Sequence, residues 1–200
     1  FKVSVQMSPK RIIVGISGAS GAIYGIRALE MLRDVDVETH VVVSRSAELT
    51  LRDELDLSIS DLQTKCDTLH AIRNVGATIA SGSYQAIGML IAPCSVRTLS
   101  EIVTGVTSTL LTRTADVQLK ERRPLVLMVR ETPLHLGHLR SMTAAAEMGA
   151  IIAPPMPAFY SKPKDLNEMV SHNVGRVLDI FGIETDIRRW SGLGSNGHSD

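Results

Sequence analysis

Cysteine and aromatic residues are scarce in this sequence, and each shortage excludes a class of protein. The chain has two cysteines, Cys66 and Cys94, which are too few for a disulfide framework. No C-x-x-C pair or Cys/His cluster suggests zinc, and we expect no metal site. Aromatic residues make up 4% of the chain, which argues against a surface that stacks nucleic-acid bases.

An excess of charge of one sign is also absent. Lysine and arginine together number 21, and so do aspartate and glutamate. The net charge therefore gives no reason to expect nucleic acid or an anionic membrane as a partner. Any positively charged site has to be local.

Long hydrophobic runs are missing as well. The apolar runs around Ile12 and Met89 are far shorter than a bilayer span, and the N-terminus lacks the apolar core of a secretory signal. We therefore expect no membrane segment and a cytoplasmic location. A chain of 200 residues with 44% hydrophobic content suits one α/β domain over residues 1–200, with flexible ends at 1–9 and 193–200.

The stretch RIIVGISGASGAIYGIR, residues 11–27, has the pattern of a buried strand, a turn of small residues and the start of a helix. A helix that begins near Ala22 would direct free N–H groups and its positive dipole end at an anion, so the turn is a candidate phosphate cradle. Its glycines do not form G-x-G-x-x-G, and the turn has neither a P-loop lysine nor a G-x-S-x-G nucleophile elbow. Tight packing of the βα connection is an equal alternative.

Buried strands and amphipathic helices alternate along the rest of the chain. We predict strands at 12–16, 38–43, 89–92, 125–129 and 151–153, with Pro93 ending the third. Helices are predicted from about residue 22, at 47–55 and 60–69, up to 103, and at 110–121, 139–148 and 166–181. Residues 70–84 show no regular pattern. This alternation predicts a three-layer α/β fold with a mostly parallel sheet and helices on both faces.

Polar or small residues follow five of the predicted strands. In an open parallel sheet, ligands bind beyond the carboxyl ends of the strands. The residues at those ends are Ser17 to Ser20, Ser44, Ser95, Arg130 with Glu131, and Pro154 to Tyr160. We expect these five ends to converge on one site.

Several side chains have a functional and a structural interpretation. Arg113 and Lys120 lie roughly 10 Å apart on one predicted helix face and could hold one anion, whereas a solvated helix end is the alternative. Arg130 and Glu131 end a buried strand, where a charge needs a partner or a ligand, so we favour function there.

Other candidates have stronger structural alternatives. Taken alone, Glu54 is a surface carboxylate, and Tyr160 and Arg176 are a structural hydroxyl and a helix-face charge. His135 and His138 lack a third metal ligand at a recognisable spacing. We assign Cys94 to packing, because no activating base lies nearby in the sequence.

Four segments together resemble the UbiX-type flavin prenyltransferase family. They are GISGASG, APCSVRTLSEI, ADVQLKERRPLVLMVRETPL and PPMPAFYSKP, and the resemblance runs from about Arg11 to Trp190. It implies a Rossmann-like flavoprotein that assembles as a homo-dodecamer. The implied reaction moves a dimethylallyl group from dimethylallyl monophosphate to N5 and C6 of reduced FMN, and the prenylated FMN serves a UbiD-type decarboxylase.

The resemblance also implies a role for each matching residue. The implied FMN-binding set is Gly18, Ala19, Ser20, Ser44, Ser81, Ser95, Thr98 and Arg130. The implied set for the prenyl donor is Arg113, Lys120, Arg130, Tyr160, Arg176 and Trp190, with Arg113 contributed by a neighbouring subunit. The implied catalytic set is Ser20, Glu54, Lys120 and Glu131, in which the two carboxylates handle protons near the flavin ring and the leaving phosphate.

Two departures and two rival functions accompany this resemblance. Ser17 stands where some relatives have threonine, and the stretch around Val75 lacks an aromatic residue found in some members, which leaves the packing of the prenyl chain open. The sequence has no aspartate-rich motif for a magnesium diphosphate, which fits a monophosphate held by lysine and arginine. The rivals are an FMN-dependent decarboxylase of an aromatic acid or cysteine peptide, and a flavin carrier without turnover.

Overall fold

Six parallel strands form the centre of the structure, a computed structural model that describes residues 9–192. The strands are β1 (Lys10–Ile16), β2 (Val37–Val43), β3 (Thr68–His70), β4 (Gly88–Cys94), β5 (Leu125–Val129) and β6 (Ile151–Ile152). Their order in the sheet is β3-β2-β1-β4-β5-β6, and every neighbouring pair is parallel. The predicted flexible ends, apart from Pro9, lie outside the described residues.

Helices cover both faces of this sheet, which confirms the predicted three-layer fold. They are α1 (Ala22–Arg33), α2 (Arg45–Leu55), α3 (Ile59–Gln63), α4 (Val96–Val103), α5 (Leu110–Lys120), α6 (Leu136–Glu147) and α7 (Leu166–Leu178). One hydrophobic cluster contains side chains of α1, α2 and α7, and a second contains side chains of α4, α5 and α6. Within residues 9–192, no helix is both long enough and apolar enough to cross a membrane.

Strand β1 shows why a continuous apolar run belongs at the centre of such a sheet. Ile12, Val14 and Ile16 pack on the α1 and α7 side, and Ile13 packs on the other. Gly15 also faces α5, and a Cβ there would lie 2.5 Å from Cδ1 of Leu111. Because both faces are covered, the run is hydrophobic throughout instead of alternating with polar residues.

The helix predicted at 60–69 is wrong in its second half. Helix α3 ends at Gln63, and residues 68–70 form the edge strand β3, which pairs with β2. The Asp67 carboxylate accepts hydrogen bonds from the N–H and hydroxyl of Thr39 at 2.7 and 2.8 Å. A contact with a strand 28 residues earlier therefore overrides the local pattern.

Two predicted boundaries also move for physical reasons. Strand β4 continues through Pro93, because the register with β5 shifts between Ile91 and Cys94 and the missing N–H of proline interrupts no regular ladder. Helix α6 begins at Leu136, three residues earlier than predicted, because Nδ1 of His135 accepts from the Gly137 N–H at 3.0 Å.

Candidate functional site

The carboxyl ends of β1 and β4 meet at the centre of the sheet. The buried Ser17 hydroxyl donates to the Pro93 carbonyl at 2.9 Å and accepts from the Ser95 N–H at 2.7 Å. After β1 the chain builds the sheet towards β3, and from β4 it builds the sheet towards β6. This reversal is the topological switch point at which open α/β sheets bind ligands.

The neighbouring strand ends are joined to this point by backbone hydrogen bonds. The Ser44 N–H donates to the Ile16 carbonyl at 2.9 Å, and the Arg130 N–H donates to the Cys94 carbonyl at 3.0 Å. The predicted convergence of strand ends is therefore confirmed for β1, β2, β4 and β5.

Three helix N-termini border one cavity beside these strand ends. Ser44 caps α2, Ser95 caps α4 and Thr109 caps α5, each through its side-chain oxygen. All three residues line an open cavity of about 570 Å³, together with Thr98. Because each N-terminus carries a partial positive charge, their convergence favours an anionic ligand.

The charged side chains around this cavity add to that preference. Arg45, Arg73, Arg97 and Glu101 line it, and Arg97 is held by Glu101 with an Nε to Oε1 distance of 2.9 Å. Within residues 9–192, Arg45 and Arg73 form no ion pair. The cavity therefore has two uncompensated cations and suits a phosphate group. Sequence reasoning missed Thr109 and Arg73, although Thr109 has the residue type and position of an N-cap.

The small-residue turn after β1 lies against the start of α2. A Cβ on Gly18 would overlap the Ser46 side chain, so only glycine allows this approach. Ser46 also lines the cavity, which places Gly18 beside it. Ala19 is buried, whereas Ser20 is exposed and makes no hydrogen bond to another described side chain. The turn thus forms part of the rim of the cavity.

The N-terminus of α1 does not offer the free anion site that the sequence suggested. The Glu54 carboxylate accepts from the Gly21 N–H at 2.9 Å through Oε2 and from the Ala22 N–H at 2.9 Å. A carboxylate is a favourable partner for a helix N-terminus. Glu54, at the end of α2, therefore occupies the position expected for a phosphate, whereas the N-termini of α2, α4 and α5 are capped by uncharged hydroxyl groups.

Arg130 and Glu131 are exposed, which corrects the argument that they need partners because they end a buried strand. In the described part of the chain, neither forms an ion pair, and the Glu131 carboxylate accepts only from the Thr132 N–H at 3.0 Å. Burial raises the pKa of Tyr24 on α1, and the nearby Arg130 guanidinium opposes that rise. Arg130 thus faces the start of α1 and is accessible to a ligand.

Within one chain, Lys120 and Ser81 lie near the amino ends of the central strands, at the opposite end from Arg130. Helix α5 runs antiparallel to the strands, and the Pro124 carbonyl just beyond it accepts from the Met89 N–H near the start of β4. Strand β4 has seven residues, so its two ends are about 20 Å apart. Lys120 pairs with Glu121 and would be the near neighbour of a side chain at Gly82. One chain therefore does not bring Lys120 and Arg130 together.

Arg113 lies on the same helix as Lys120, as predicted. Its guanidinium contacts the Asp116 carboxylate at 2.7 Å, and both side chains are more than a third exposed. An exposed pair of this kind contributes little to stability, so Arg113 can exchange Asp116 for a ligand at small cost.

Tyr160 and Trp190 pack together on the outer side of α7. Their rings meet edge to face, with centroids 5.8 Å apart. The Tyr160 hydroxyl lies 3.2 Å from Nε2 of His172, which is buried in α7. Sequence reasoning missed His172, because its relation to Tyr160 depends on how the C-terminal segment packs.

Arg176 lies one helical turn beyond His172 and is held by an acidic residue. Asp179 contacts Arg176 at 2.6 Å and Arg189 at 2.7 and 2.8 Å. The hydrogen bond from Arg189 is the largest influence on Asp179 and holds the pKa of its carboxyl below the ordinary value. Tyr160, Arg176 and Trp190 thus form a group on the α7 face, separate from the cavity beside α4 and α5.

Both cysteine thiols are weakly acidic because they are buried or half-buried, which agrees with the assignment of Cys94 to packing. Burial raises the pKa of Cys94 to about 12 and that of Cys66 to about 11, so both thiols stay protonated at neutral pH. Among residues 9–192, no group of three histidine, cysteine or acidic side chains is arranged to hold a metal ion.

Comparison with known proteins identifies the family. The Flavoprotein family matches residues 1–176. Flavin prenyltransferase UbiX of Escherichia coli K12 is 59% identical over 187 residues, covering 92% of this chain and 99% of the relative. The corresponding protein of Thauera aromatica is 56% identical over 183 residues, covering 91% and 94%.

Solved structures agree with these relatives. AnUbiX (PadA1), in complex with FMN and dimethylallyl pyrophosphate, superimposes with a TM-score of 0.91 and 46% identity, covering 92% of this chain and 99% of that one. A dodecameric FMN-dependent UbiX-like decarboxylase from E. coli O157:H7 gives a TM-score of 0.88 and 45% identity, covering 91% and 100%. The chain therefore belongs to the Flavoprotein family and, within it, to the UbiX flavin prenyltransferases.

Proposed function

We propose that the protein transfers a dimethylallyl group from dimethylallyl monophosphate to N5 and C6 of reduced FMN. The product, prenylated FMN, would then pass to a UbiD-type decarboxylase. Family membership supports the reaction class. The observation that carries the proposal is the cavity bordered by the N-termini of α2, α4 and α5 at the switch point of the sheet.

This cavity fits FMN in charge and in position. Two uncompensated arginines and three helix N-termini suit the phosphate of FMN, and Ser44, Ser95 and Thr98 supply hydroxyl groups. The rim turn from Gly18 to Ser20 allows a flat ring to approach the backbone closely. When bound, reduced FMN supplies the nucleophile.

The prenyl donor needs cations that stabilise its departing phosphate. The candidates are Arg113, Lys120, Arg130 and Arg176, together with the hydroxyl of Tyr160. Since one chain places them in separate groups, we propose that neighbouring subunits bring these groups together in a homo-oligomer. The dodecameric relative supports this arrangement. Glu131, exposed at the end of β5 beside Arg130, would deliver or accept the proton of the phosphate.

We propose dimethylallyl monophosphate as the donor, whereas the AnUbiX structure is a complex with dimethylallyl pyrophosphate. The direct test incubates the protein anaerobically with reduced FMN and either donor, extracts the flavin and measures its mass. A mass increase of one dimethylallyl group with the monophosphate supports the proposal. FMN binding without a mass change in either incubation would instead indicate a carrier.

A direct decarboxylase is the second candidate, because relatives of 45% and 37% identity carry that name. Incubation with a phenylacrylic acid, in the absence and presence of a purified UbiD-type protein, distinguishes the two. Decarboxylation by this protein alone would favour the second candidate. Activity that requires the partner would support delivery of prenylated FMN.

The cytoplasmic location of the protein remains a prediction.

A further inference from the structure

His172 contacts the hydroxyl of Tyr160 from inside the protein. It is 6% exposed, and its Nε2 lies 3.2 Å from the Tyr160 hydroxyl and 3.1 Å from the Arg188 carbonyl oxygen. The other ring nitrogen, Nδ1, is buried without a hydrogen-bond partner in the described part of the chain. One nitrogen of this ring therefore serves two oxygen atoms.

The chemistry of these two oxygens determines where the hydrogen lies. A carbonyl oxygen can only accept a hydrogen bond, so Nε2 of His172 carries the hydrogen. The Tyr160 oxygen then faces the same N–H group and can only accept, so it shares this one hydrogen with the Arg188 carbonyl in a bifurcated hydrogen bond. Consequently the hydrogen of the Tyr160 hydroxyl is not used inside the protein and can point outwards.

The surroundings hold Tyr160 in this position. His172 and Trp190 both meet its ring edge to face, with centroids 5.3 and 5.8 Å away. Arg188 also donates to the Ser161 carbonyl at 3.3 Å, which fastens the C-terminal segment to the turn that carries Tyr160. Tyr160 itself is 40% exposed, so its hydroxyl remains accessible.

We propose that His172 is a positioning residue that makes the Tyr160 hydroxyl a hydrogen-bond donor to the phosphate of the prenyl donor. This inference rests on the proposed function. A phosphate oxygen accepts hydrogen bonds and repels a lone pair, so it needs an O–H directed towards it. If Nε2 of His172 were an acceptor, Tyr160 would donate inwards and present a lone pair to the phosphate.

Kinetics of a double-mutant cycle test the proposal. His172→Leu removes the N–H and should raise the KM for dimethylallyl monophosphate about tenfold, with kcat and FMN affinity near those of the wild type. Tyr160→Phe should raise KM by at least as much. In the Tyr160→Phe background, His172→Leu should have no further effect on KM, because the group through which it acts is gone.

Two conservative variants keep the test decisive if His172→Leu does not fold. His172→Gln places an amide N–H near the position of Nε2 and should retain the wild-type KM, whereas the shorter His172→Asn should not. Equal KM values for both, or additive effects in the cycle, would overturn the proposal. A ³¹P NMR titration with inorganic phosphate provides a readout that needs no turnover. If wild-type protein binds inorganic phosphate in this titration but forms no prenylated flavin, the result would refute the proposed function and not the role of His172.

Discussion

Ser17→Ala tests whether one buried hydroxyl joins the two central strand ends. Ser17 is fully buried, and its hydroxyl donates to Pro93 and accepts from Ser95. After the substitution, the Pro93 carbonyl still accepts from the Ser17 N–H at 3.2 Å, but the Ser95 N–H loses its acceptor. We expect this N–H, at the N-terminus of α4, to dominate the loss.

The size of the effect follows from these two groups. A buried donor left without a partner costs about 1–3 kcal/mol, and the low end of about 1 kcal/mol applies here because Ser95 is half-buried. The hydrogen bond to Pro93 contributes about 1 kcal/mol more. We therefore expect the free energy of unfolding to fall by about 2 kcal/mol. In a chain of this length, that corresponds to a lower Tm by roughly 4–8 °C. FMN should also bind more weakly, because Ser95 lines the cavity.

Urea unfolding at a fixed protein concentration measures the stability change, and hydrogen exchange followed by NMR measures the protection of the Ser95 amide. The matched control is Ser20→Ala, which lies in the same turn but is exposed, and it should change stability by less than about 0.5 kcal/mol. The reasoning is refuted if Ser17→Ala behaves like this control and the Ser95 amide keeps its wild-type protection.

Four further predictions concern the catalytic groups and the surrounding structure. Glu131→Gln should retain FMN but form prenylated flavin orders of magnitude more slowly in anaerobic single-turnover absorbance; a wild-type rate at saturating donor would remove Glu131 from the mechanism. Mixing Arg113→Ala subunits with Glu131→Gln subunits should restore part of the activity if sites are shared, and no recovery at any ratio would place each site within one chain. Asp179→Asn should lower the free energy of unfolding at pH 7, measured by urea unfolding, by about 1 kcal/mol. Because the pKa of Asp179 is depressed in the folded state, its stabilisation is fully present above the ordinary value of 3.8 and is lost as pH falls through the depressed pKa. The difference between wild type and variant should therefore shrink as pH falls below 3.8, and a constant difference would contradict this. Iodoacetamide at pH 7.5 should leave Cys94 unmodified until urea unfolds the protein, and rapid alkylation of the native protein would contradict its assignment to packing.

Local pattern was sufficient where one element is stabilised by its own residues. The run from Ile12 to Ile16 is apolar on both faces, and this composition predicts a central parallel strand without any knowledge of its neighbours. The polar residues after β1, β2, β4 and β5 could also be placed together from the sequence, because parallel strands present their carboxyl ends at one edge.

Such local patterns could not predict contacts between residues that are far apart in the sequence. Strand β3 has three residues and is stabilised by pairing with β2, so no local periodicity marks it. The hydrogen bond from the Ala22 N–H to Glu54 joins residues 32 positions apart in the sequence. Because Glu54 occupies the N-terminus of α1, the candidate phosphate site lies at the N-termini of α2, α4 and α5 instead. The alternation of strands and helices does contain one signal that sequence reasoning did not use. A crossover helix runs antiparallel to its strands, which places Lys120 at the other end of the strands from Arg130.

The sequence by itself determined the three-layer architecture, the edge of the sheet that carries the site and the resemblance to the flavin prenyltransferases, because these depend on the residue types of each segment and on their order. Only the tertiary structure decided which helix N-terminus is occupied by a carboxylate, which helix N-termini border the cavity and which cations share a surface. It also placed His172 behind Tyr160. These features depend on distances between segments far apart in the chain, and such distances are set when the helices pack on the sheet.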